Sequence, residues 1–597
     1  MRELRRGGDL RPVLLICALA ATGYAAYALL RHLHYWSALD TGIFNQAIWH
    51  YSNFEAPDST VKGGLDLRAD HFHPILMLLA PLYWVADEPA LLLVAQAVLV
   101  AASIVPVFLF ARERLERLPA YAIAVAYAIS WGVWAGVGFD FHELAFAPLL
   151  VALGILWGDR RQWRRFAAAM VLLVLVKEDM TLVVAFFGVW LLSRRDWGAG
   201  AATAVGGLAA CFLVTEVAMP HFGDGVGFQY WTYDRLGEDL PDAIGRVATH
   251  PWLPFEVATD EGQKVKLMGG LLAPFLALSL CSRVGLLAVP LVAERVLSSN
   301  PQLWAAADTH YTLPLAPVLA MAAAAGLANV AALAPSEHRR RAVTVAAVSL
   351  LVLGAAFNAL AAKTPSRIET YASQRPFAAS VARALERVPR DASVASQEVL
   401  YSRLSARDTA DVIRPGMVRV DYIVAGIFDT LGTGPANGSS RAVGDALRGQ
   451  LPEFEAVFYD RGWVVLRRRS ADGAPRDALE PFPAPEAKRL RAAALDWAGT
   501  VSAFADPRRE QARLDGLLRH AGDGTDGGCR SMAAGARRAS REMSFLTEAV
   551  LRVTVGARGG PEKVEEALTA ARRAVEDRDL VGRVLTVAEL CARPAPR

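Results

Sequence analysis

The sequence predicts a polytopic α-helical membrane protein that is followed by a small α/β domain and a helical C-terminal region. The chain has 597 residues, of which 53% are apolar, and its mean hydropathy of +0.26 is too high for a soluble protein of this size. The apolar residues occur in runs close to twenty residues, about the length of helix that crosses a hydrocarbon core of ~30 Å. Arg-rich loops separate several of these runs, as is typical of the cytoplasmic loops of membrane proteins.

The first apolar run, Pro12–Leu30, follows the basic sequence MRELRR. We interpret it as a retained helix, because no small-x-small cleavage site with a polar sequel follows. Together with ten later runs it predicts about eleven transmembrane helices, several of them too short to cross the membrane alone. The later runs are Ala90–Phe110, Pro119–Val137, Leu144–Trp157, Phe166–Val176, Met180–Leu192, Gly198–Met219, Val265–Cys281, Val284–Leu297, Tyr311–Leu333 and Ala342–Ala362.

The Arg-rich loops predict how the chain is oriented. If the N-terminus is cytoplasmic, all four loops lie on the cytoplasmic side, as the positive-inside rule requires. These loops are 112–117, 159–165, 193–196 and 338–341. The other loops and everything after Lys363 are then extracytoplasmic, and the protein is a multi-pass protein of the plasma membrane.

The hydrophobic pattern changes after the last span and predicts four regions. A transmembrane domain covers 1–363, a small extracytoplasmic α/β domain 364–470, a Pro-rich linker 471–486 and a helical region 487–597. Within the α/β domain, Phe377–Val388 has the period of an amphipathic helix, while 392–395 and 421–425 read as buried strands. Residues 456–466 predict a hairpin that turns at 460–462. Cys529 and Cys591 could pair if the tail is extracytoplasmic.

The stretch VLLVLVKEDMTLVVAFFGVWL, Val171–Leu191, places Lys177, Glu178 and Asp179 in the middle of an apolar run. It predicts two short helices that meet at the outer face. Only seven lysines occur in the chain, so a lysine at this position is unusual. Ionisable residues near membrane depth are costly and usually face a polar cavity or a pathway.

Other predicted outer ends also carry ionisable residues, which predicts one shared polar cavity. They are Asp40 in SALDTG, His71 and His73 in DHFHP, Asp140, His142 and Glu143 in FDFHEL, Glu294 and Arg295 in VAERV, and His310 and Tyr311 in THYTLP. Simpler roles remain open for single members: Asp40 as a helix N-cap, His71 or His73 as a cap, and charged pairs as structural ion pairs. The two histidines of His-x-His do not by themselves make a metal site.

This set of residues suits group transfer from a lipid phosphate. A carboxylate can act as a general base on a hydroxyl group, and Lys and Arg can hold a phosphate. No Walker loop or strand-borne Gly-rich turn is present, and no motif indicates nucleic-acid binding.

Several blocks resemble a known family. SALDTGIFNQAIWH, DHFHPILMLLAPLYW, FDFHELAFAPLL, LLVLVKEDMTL and HYTLPLAP, in this order over roughly Tyr24–Arg468, resemble the bacterial membrane proteins called domain of unknown function 2079. That family looks like a branch of the C-type (GT-C) glycosyltransferases, which implies a GT-C-like fold and a polyprenyl-phosphate-linked sugar donor.

The resemblance implies a membrane glycosyltransferase with Asp40 as the candidate general base. We add the hypothesis that Glu143 is the second candidate. Lys177 and Arg295 would hold the lipid phosphate, and the remaining residues named above would shape the sugar and acceptor sites. The acceptor would be a glycan, lipid or protein of the cell envelope. No cofactor is certain and a divalent metal is possible. SALDTG has one Asp where an Asp-Asp or Asp-Glu pair is common, and this departure speaks against assigning a metal or the role of Asp40 from the resemblance alone. A membrane transporter and a non-enzymatic membrane scaffold are the alternatives.

Overall fold

The structure is a computed structural model, and it describes residues 10–37, 39–225, 229–304, 309–372, 378–414, 416–426, 453–460 and 463–468. The chain divides into two compact units, 1–375 and 376–597. The predicted linker 471–486, the helical region 487–597, Cys529 and Cys591 lie outside the described residues. The domain boundaries drawn from the sequence stay predictions.

The first unit is almost entirely helical. Its helices up to the middle of the unit are α1 Leu10–Leu33, α2 Leu39–Ser52, α3 Leu67–Asp70, α4 Ala80–Tyr83, α5 Ala90–Ala102, α6 Ile104–Arg112, α7 Arg117–Ala128, α8 Trp131–Val137, α9 Ala147–Asp159, α10 Trp163–Val174, α11 Met180–Ser193 and α12 Trp197–Leu213. The later ones are α13 Met219–Phe222, α14 Leu240–Thr249, α15 Leu253–Thr259, α16 Gly262–Leu272, α17 Ala288–Val296, α18 Pro301–Trp304, α19 Leu315–Ala332, α20 Ser336–Phe357 and α21 Thr364–Ala372. A two-residue hairpin, β1 Asp58–Ser59 with β2 Leu65–Asp66, lies between α2 and α3.

The protein has several helices able to cross a membrane, which confirms the general architecture. Five of the described helices are long and apolar enough, and a pair bent by 40° at 117–137 makes a sixth if it is one span. The five are Leu10–Leu33, Ala90–Arg112, Trp197–Phe222, Leu315–Ala332 and Ser336–Ala362. The predicted count of about eleven is not confirmed, because α9, α10 and α11 are only 13, 12 and 14 residues long.

The apolar run Val265–Cys281 is not one helix, which differs from the sequence prediction. After α16 the chain continues in short 3-10 turns at Ala273–Phe275 and Leu278–Cys281, with Leu276 and Ala277 in the left-handed region. The carbonyl oxygen of Leu278 lies so close to α19 that a Cβ on Gly326 would be 1.9 Å away. The irregular segment therefore fits only because residue 326 has no side chain.

Helices α11 and α12 pack closely through small residues. A Cβ placed on Gly188 would lie 2.2 Å from the backbone nitrogen of Ala204, and one on Gly207 would lie 2.4 Å from that of Ala185. Small residues allow helix backbones to approach each other, which is a common way for membrane helices to associate.

The four Arg-rich loops meet at one end of the first unit, which we call the basic end. Asp159 pairs with Arg114, at 2.6 Å, and also with Arg194. Other ion pairs link Arg161 to Asp196 at 2.8 Å and Arg340 to Glu116 at 3.2 Å, the latter between exposed side chains. The prediction that these loops share one side is confirmed, and which side of the membrane they face stays a prediction.

The second unit has a five-stranded sheet of order β4-β3-β5-β7-β6, with β3 parallel to both β4 and β5 and the remaining pairs antiparallel. Its elements are α22 Ala378–Leu385, β3 Val394–Ser396, α23 Glu398–Leu404, β4 Ala410–Val412, β5 Tyr422–Gly426, β6 Phe454–Asp460 and β7 Trp463–Arg468. The predicted helix, the two buried strands and the hairpin are confirmed, with ends that differ by a few residues.

Candidate functional site

Two breaks between helices bring the central candidate residues together. The turn 138–146 separates α8 from α9, and the turn 175–179 separates α10 from α11. The other ends of α9, α10 and α11 lie in the Arg-rich loops, so both turns belong to the opposite end of the unit, which we call the polar end. The predicted interruption of the apolar run at Lys177 is confirmed.

A buried lysine lies between two carboxylates at the polar end. Lys177 Nζ is 3.8 Å from Glu143 Oε1 and 3.9 Å from Asp179 Oδ2, and its side chain is only 8% exposed. Glu143 has no exposed surface, and both of its carboxylate oxygens lack a hydrogen bond within the described part of the chain. The ammonium group thus balances acidic charge while lying beyond hydrogen-bond distance from it.

Two histidines pack beside this lysine. The rings of His142 and His310 stack with centroids 3.5 Å apart, and Phe44 of α2 meets His142 edge-on at 5.0 Å. Neither ring nitrogen of His310 has a hydrogen bond among the described residues. His142 Nδ1 lies 2.5 Å from Glu143 Oε2 without hydrogen-bond geometry. The structure therefore brings His142 and His310 together with Glu143 and Lys177, while the predicted shared cavity and the roles of these residues stay predictions.

His71 and His73 have different surroundings. His71 Nδ1 lies 2.7 Å from Glu178 Oε1, and the second oxygen of Glu178 accepts a hydrogen bond from Phe72 N at 3.0 Å. His73 is buried, precedes the 3-10 turn Pro74–Leu79, and forms no side-chain cap there. The backbone of this turn is tied to the end of α10 by Ile75 N, which donates to Leu175 O.

A tyrosine from the loop before α14 covers His71. Tyr230 stacks on the His71 ring with a centroid distance of 4.4 Å, and its hydroxyl donates to Asp70. Lys62 lies 3.1 Å from the same carboxylate. Burial alone would raise the pKa of Asp70, but His71 and Lys62 lower it below its ordinary value of 3.8. Burial and the bond to Asp70 raise the pKa of Tyr230.

The later candidates complete one side of the polar end. Glu294 lies in the last turn of α17, next to Asp179. Arg295 is buried and donates through Nε to Leu303 O at 2.7 Å and through Nη1 to Thr312 Oγ1 at 2.8 Å. Its Nη2 is buried without a hydrogen bond among the described residues. These bonds show that Arg295 links α17 to the turn before α19, and its predicted contact with a phosphate stays untested.

Asp40 and Asp140 are on neighbouring segments but have different environments. Asp40 lies in the first turn of α2, partly exposed and close to Tyr311. Asp140 is fully buried and forms an ion pair with Arg31 of α1. It also accepts a hydrogen bond from Thr41 N at 3.4 Å. These contacts give Asp140 a structural role, and the predicted substrate contact stays untested.

Sequence reasoning missed several residues of the polar end. Arg31 directly follows the first apolar run, Pro12–Leu30, and was not named as a candidate, although its position at the end of that run is a signal in the sequence. Gln96, within a span, accepts from His142 N at 3.2 Å and so helps to place that histidine. Nothing in the local pattern around Tyr230 pointed to His71, because the two are far apart in sequence.

The possible divalent metal stays a prediction. Among the described residues up to 372, no three His, Cys, Asp or Glu side chains bring their ligand atoms together as a metal site requires. The carboxylates of Glu143 and Asp179 instead have the ammonium group of Lys177 between them.

Comparison with known proteins identifies a family. The model of a family described as "Predicted membrane protein (DUF2079)" matches residues 31–426, which is more than half of the chain. No curated protein matches the chain.

Two solved structures are similar at a low level. ArnT from Cupriavidus metallidurans bound to undecaprenyl phosphate is 14% identical with a TM-score of 0.45, over 77% of this chain and 99% of that one. The archaeal oligosaccharyltransferase AglB from Archaeoglobus fulgidus, in complex with an inhibitory peptide and a dolichol-phosphate, is 13% identical with a TM-score of 0.40, over 79% and 75%. At TM-scores this low, neither similarity decides the fold or the function of this chain.

Proposed function

The chain belongs to the family of predicted membrane proteins DUF2079, and we propose that it is a membrane glycosyltransferase with a GT-C-like transmembrane unit. It transfers a sugar from a polyprenyl-phosphate donor to a hydroxyl group of an extracytoplasmic acceptor, which is a glycan, lipid or protein of the cell envelope. The polar end is extracytoplasmic in this proposal, because the basic end carries the arginines that the positive-inside rule assigns to the cytoplasm.

The observation that carries the proposal is the buried ammonium group of Lys177. Its two acidic neighbours lie at 3.8 and 3.9 Å, so its N–H donors are not used in hydrogen bonds to them. A phosphate oxygen at about 2.8 Å would gain a charge-assisted hydrogen bond from this group. Lys177 therefore binds the lipid phosphate and stabilises the negative charge that develops on it as the sugar departs.

The acceptor is activated by Asp40. Glu143 is fully buried beside Lys177, whereas Asp40 is partly exposed at the start of α2 and can meet an incoming hydroxyl group. The acceptor oxygen forms a bond to the anomeric carbon while the bond from that carbon to the phosphate oxygen breaks. The hydroxyl proton passes to the Asp40 carboxylate, and the polyprenyl phosphate leaves with the bonding electrons. Glu143 keeps Lys177 charged and in place.

Native mass spectrometry of the full chain, purified from its own membranes in gentle detergent, tests the donor. The wild type is compared with Lys177→Met, which keeps most of the aliphatic stem, and with Lys266→Met, which removes an exposed charge on α16. We expect polyprenyl phosphate or its glycosylated form on the wild type and on Lys266→Met, and its loss from Lys177→Met. A wild type that carries no lipid phosphate overturns the proposal.

The lipid identified in this way then serves as the substrate in a transferase assay with membrane extract as the source of acceptor. Asp40→Asn should abolish transfer while the donor stays bound. If Asp40→Asn transfers the sugar at the wild-type rate, Asp40 is not the base. If the wild type moves the intact glycolipid or sugar across vesicles and transfers nothing, the protein is a transporter.

A further inference from the structure

The helix that carries Asp40 has its N-terminus held by a residue that is distant in sequence. The first amides of an α-helix have no partner within the helix and are usually capped by a side chain just before them. In α2 the amide of Thr41 donates instead to Asp140, 99 positions later in the chain. Asp140 is fully buried, so this cap lies inside the protein.

The same carboxylate is held by the preceding helix. Arg31 lies in the last turn of α1, and its guanidinium pairs with Asp140. An anion is favourable at a helix N-terminus and a cation at a helix C-terminus, so the Arg31–Asp140 pair suits both α2 and α1. It also supplies the charge balance that a buried carboxylate needs.

Two hydrogen bonds in opposite directions connect α2 to the turn 138–146. Thr41 donates its amide to Asp140, and its Oγ1 accepts a hydrogen bond from Phe141 N at 3.0 Å. Thr41 has no exposed surface. Two bonds in opposite directions fix both the distance and the rotation of the first turn of α2 relative to the turn that carries His142 and Glu143.

We propose that Arg31, Asp140 and Thr41 are positioning residues that set the place of Asp40 relative to Lys177. This inference rests on the proposed function, because Asp40 matters here as the base. Asp40 is adjacent to Thr41 in the chain, so a shift of the first turn moves its carboxylate directly. The donor phosphate is bound by Lys177, so loss of the hydrogen bonds between α2 and the turn 138–146 should slow transfer without weakening the binding of the donor.

Position 41 offers a matched pair of variants. Thr41→Ser keeps the hydroxyl group that accepts from Phe141, whereas Thr41→Val has nearly the same shape and lacks the acceptor. For Thr41→Val we expect kcat to fall by about 10- to 100-fold, since small misplacements of a catalytic group have effects of this size. The KM for the lipid donor should stay within about two-fold of the wild type, and Thr41→Ser should resemble the wild type.

Hydrogen–deuterium exchange on the full chain in detergent gives a readout that does not require activity. Thr41→Val and Asp140→Asn should raise exchange in the peptide covering the start of α2 by about ten-fold, with the peptides of α11 and α12 unchanged. Normal exchange in both variants overturns the positioning role. Faster exchange with an unchanged kcat shows that the hydrogen bonds at position 41 hold the start of α2 but do not position a catalytic group, which also overturns the proposal. If the wild type has no transferase activity while both variants exchange faster, the proposed function fails, and the hydrogen bonds between α2 and the turn 138–146 have a structural role only.

Discussion

Removing the charge of Lys177 should destabilise the protein strongly, and a second substitution, Glu143→Gln, should recover part of the lost free energy of unfolding. In Lys177→Met the buried carboxylate of Glu143 loses the cation 3.8 Å away, and Asp179 loses the same cation at 3.9 Å. At an effective dielectric constant of about 20, each of these contacts corresponds to an attraction of about 4 kcal/mol before desolvation is counted. The net effect is smaller, because the buried lysine is itself costly to desolvate, and we expect a loss of about 3–5 kcal/mol.

The double variant Lys177→Met, Glu143→Gln separates charge from shape. It removes the cation and one of the stranded anions together, so the free energy of unfolding should recover by about 2 kcal/mol or more relative to Lys177→Met alone. Glu143→Gln alone should cost less than Lys177→Met, since the lysine keeps Asp179 as a neighbour.

Unfolding of the purified protein in detergent, followed by scanning fluorimetry and by denaturant titration, measures these differences. Lys266→Met on the exposed face of α16 is the control and should unfold like the wild type. If Lys177→Met is as stable as the wild type to within about 0.5 kcal/mol, a size typical of surface substitutions, then the lysine does not balance the buried carboxylates and the electrostatic reasoning is wrong. An equal loss in the single and the double variant would assign the effect to packing.

Three further expectations concern other parts of the first unit. Gly207→Ala should cost about 1–3 kcal/mol of stability because its Cβ would meet the backbone of α11 at 2.4 Å, whereas Gly206→Ala on the same helix, with nothing within 4 Å, should change the unfolding temperature very little. Asp159→Asn should lower the free energy of unfolding by about 1.5–3 kcal/mol in the same assay, because it weakens the ion pairs with Arg114 and Arg194. Glu116→Gln, in an exposed ion pair, should change it by less than about 1 kcal/mol. Equal effects of the two substitutions would contradict this expectation. The folded state lowers the pKa of Asp70 below 3.8, so its carboxylate stabilises the fold above about pH 4, and this contribution is lost as the pH falls through the lowered pKa. The difference in unfolding free energy between the wild type and Asp70→Asn should therefore shrink on acidification. A difference that stays constant with pH would refute this expectation.

The sequence predicted the helical membrane architecture and the separation of charges between the two ends, because both depend on local composition. Runs such as Ala342–Ala362 have the length of a span, and the arginines at 159–165 mark a loop. The number of spans could not be predicted in the same way. Short apolar runs such as 144–157 and 166–176 give helices of 13 and 12 residues, and whether a short helix crosses a membrane is decided by its neighbours.

The site could be predicted as a set of residues but not as a set of contacts. Lys177, inside an apolar run, and Glu143, in the turn between two runs, were marked as candidates because ionisable residues near membrane depth are costly unless they meet partners. The local sequence does not distinguish the buried, paired Asp140 from the partly exposed Asp40, because both are acidic residues that follow an apolar or aromatic stretch. The difference between them is tertiary: a guanidinium group from α1 and an amide from α2 both reach Asp140, and neither contact leaves a local pattern.

The buried group formed by Lys177, Glu143 and His310 lacks the direct polar contacts that ion pairs elsewhere in the first unit make, and this is the main physical reason to place the chemistry at the polar end. Other ion pairs meet directly, as Asp159 and Arg114 do at the basic end, at 2.6 Å, and as Arg31 and Asp140 do at the polar end. At the polar end, Lys177 stays 3.8 Å from Glu143, and the carboxylate oxygens of Glu143 and both nitrogens of His310 are buried without hydrogen bonds among the described residues. Buried polar groups without partners cost free energy, so an arrangement that keeps them is not explained by stability. A bound group that brings both acceptors and donors, as a sugar phosphate does, would satisfy the lysine, the histidine and the carboxylate together.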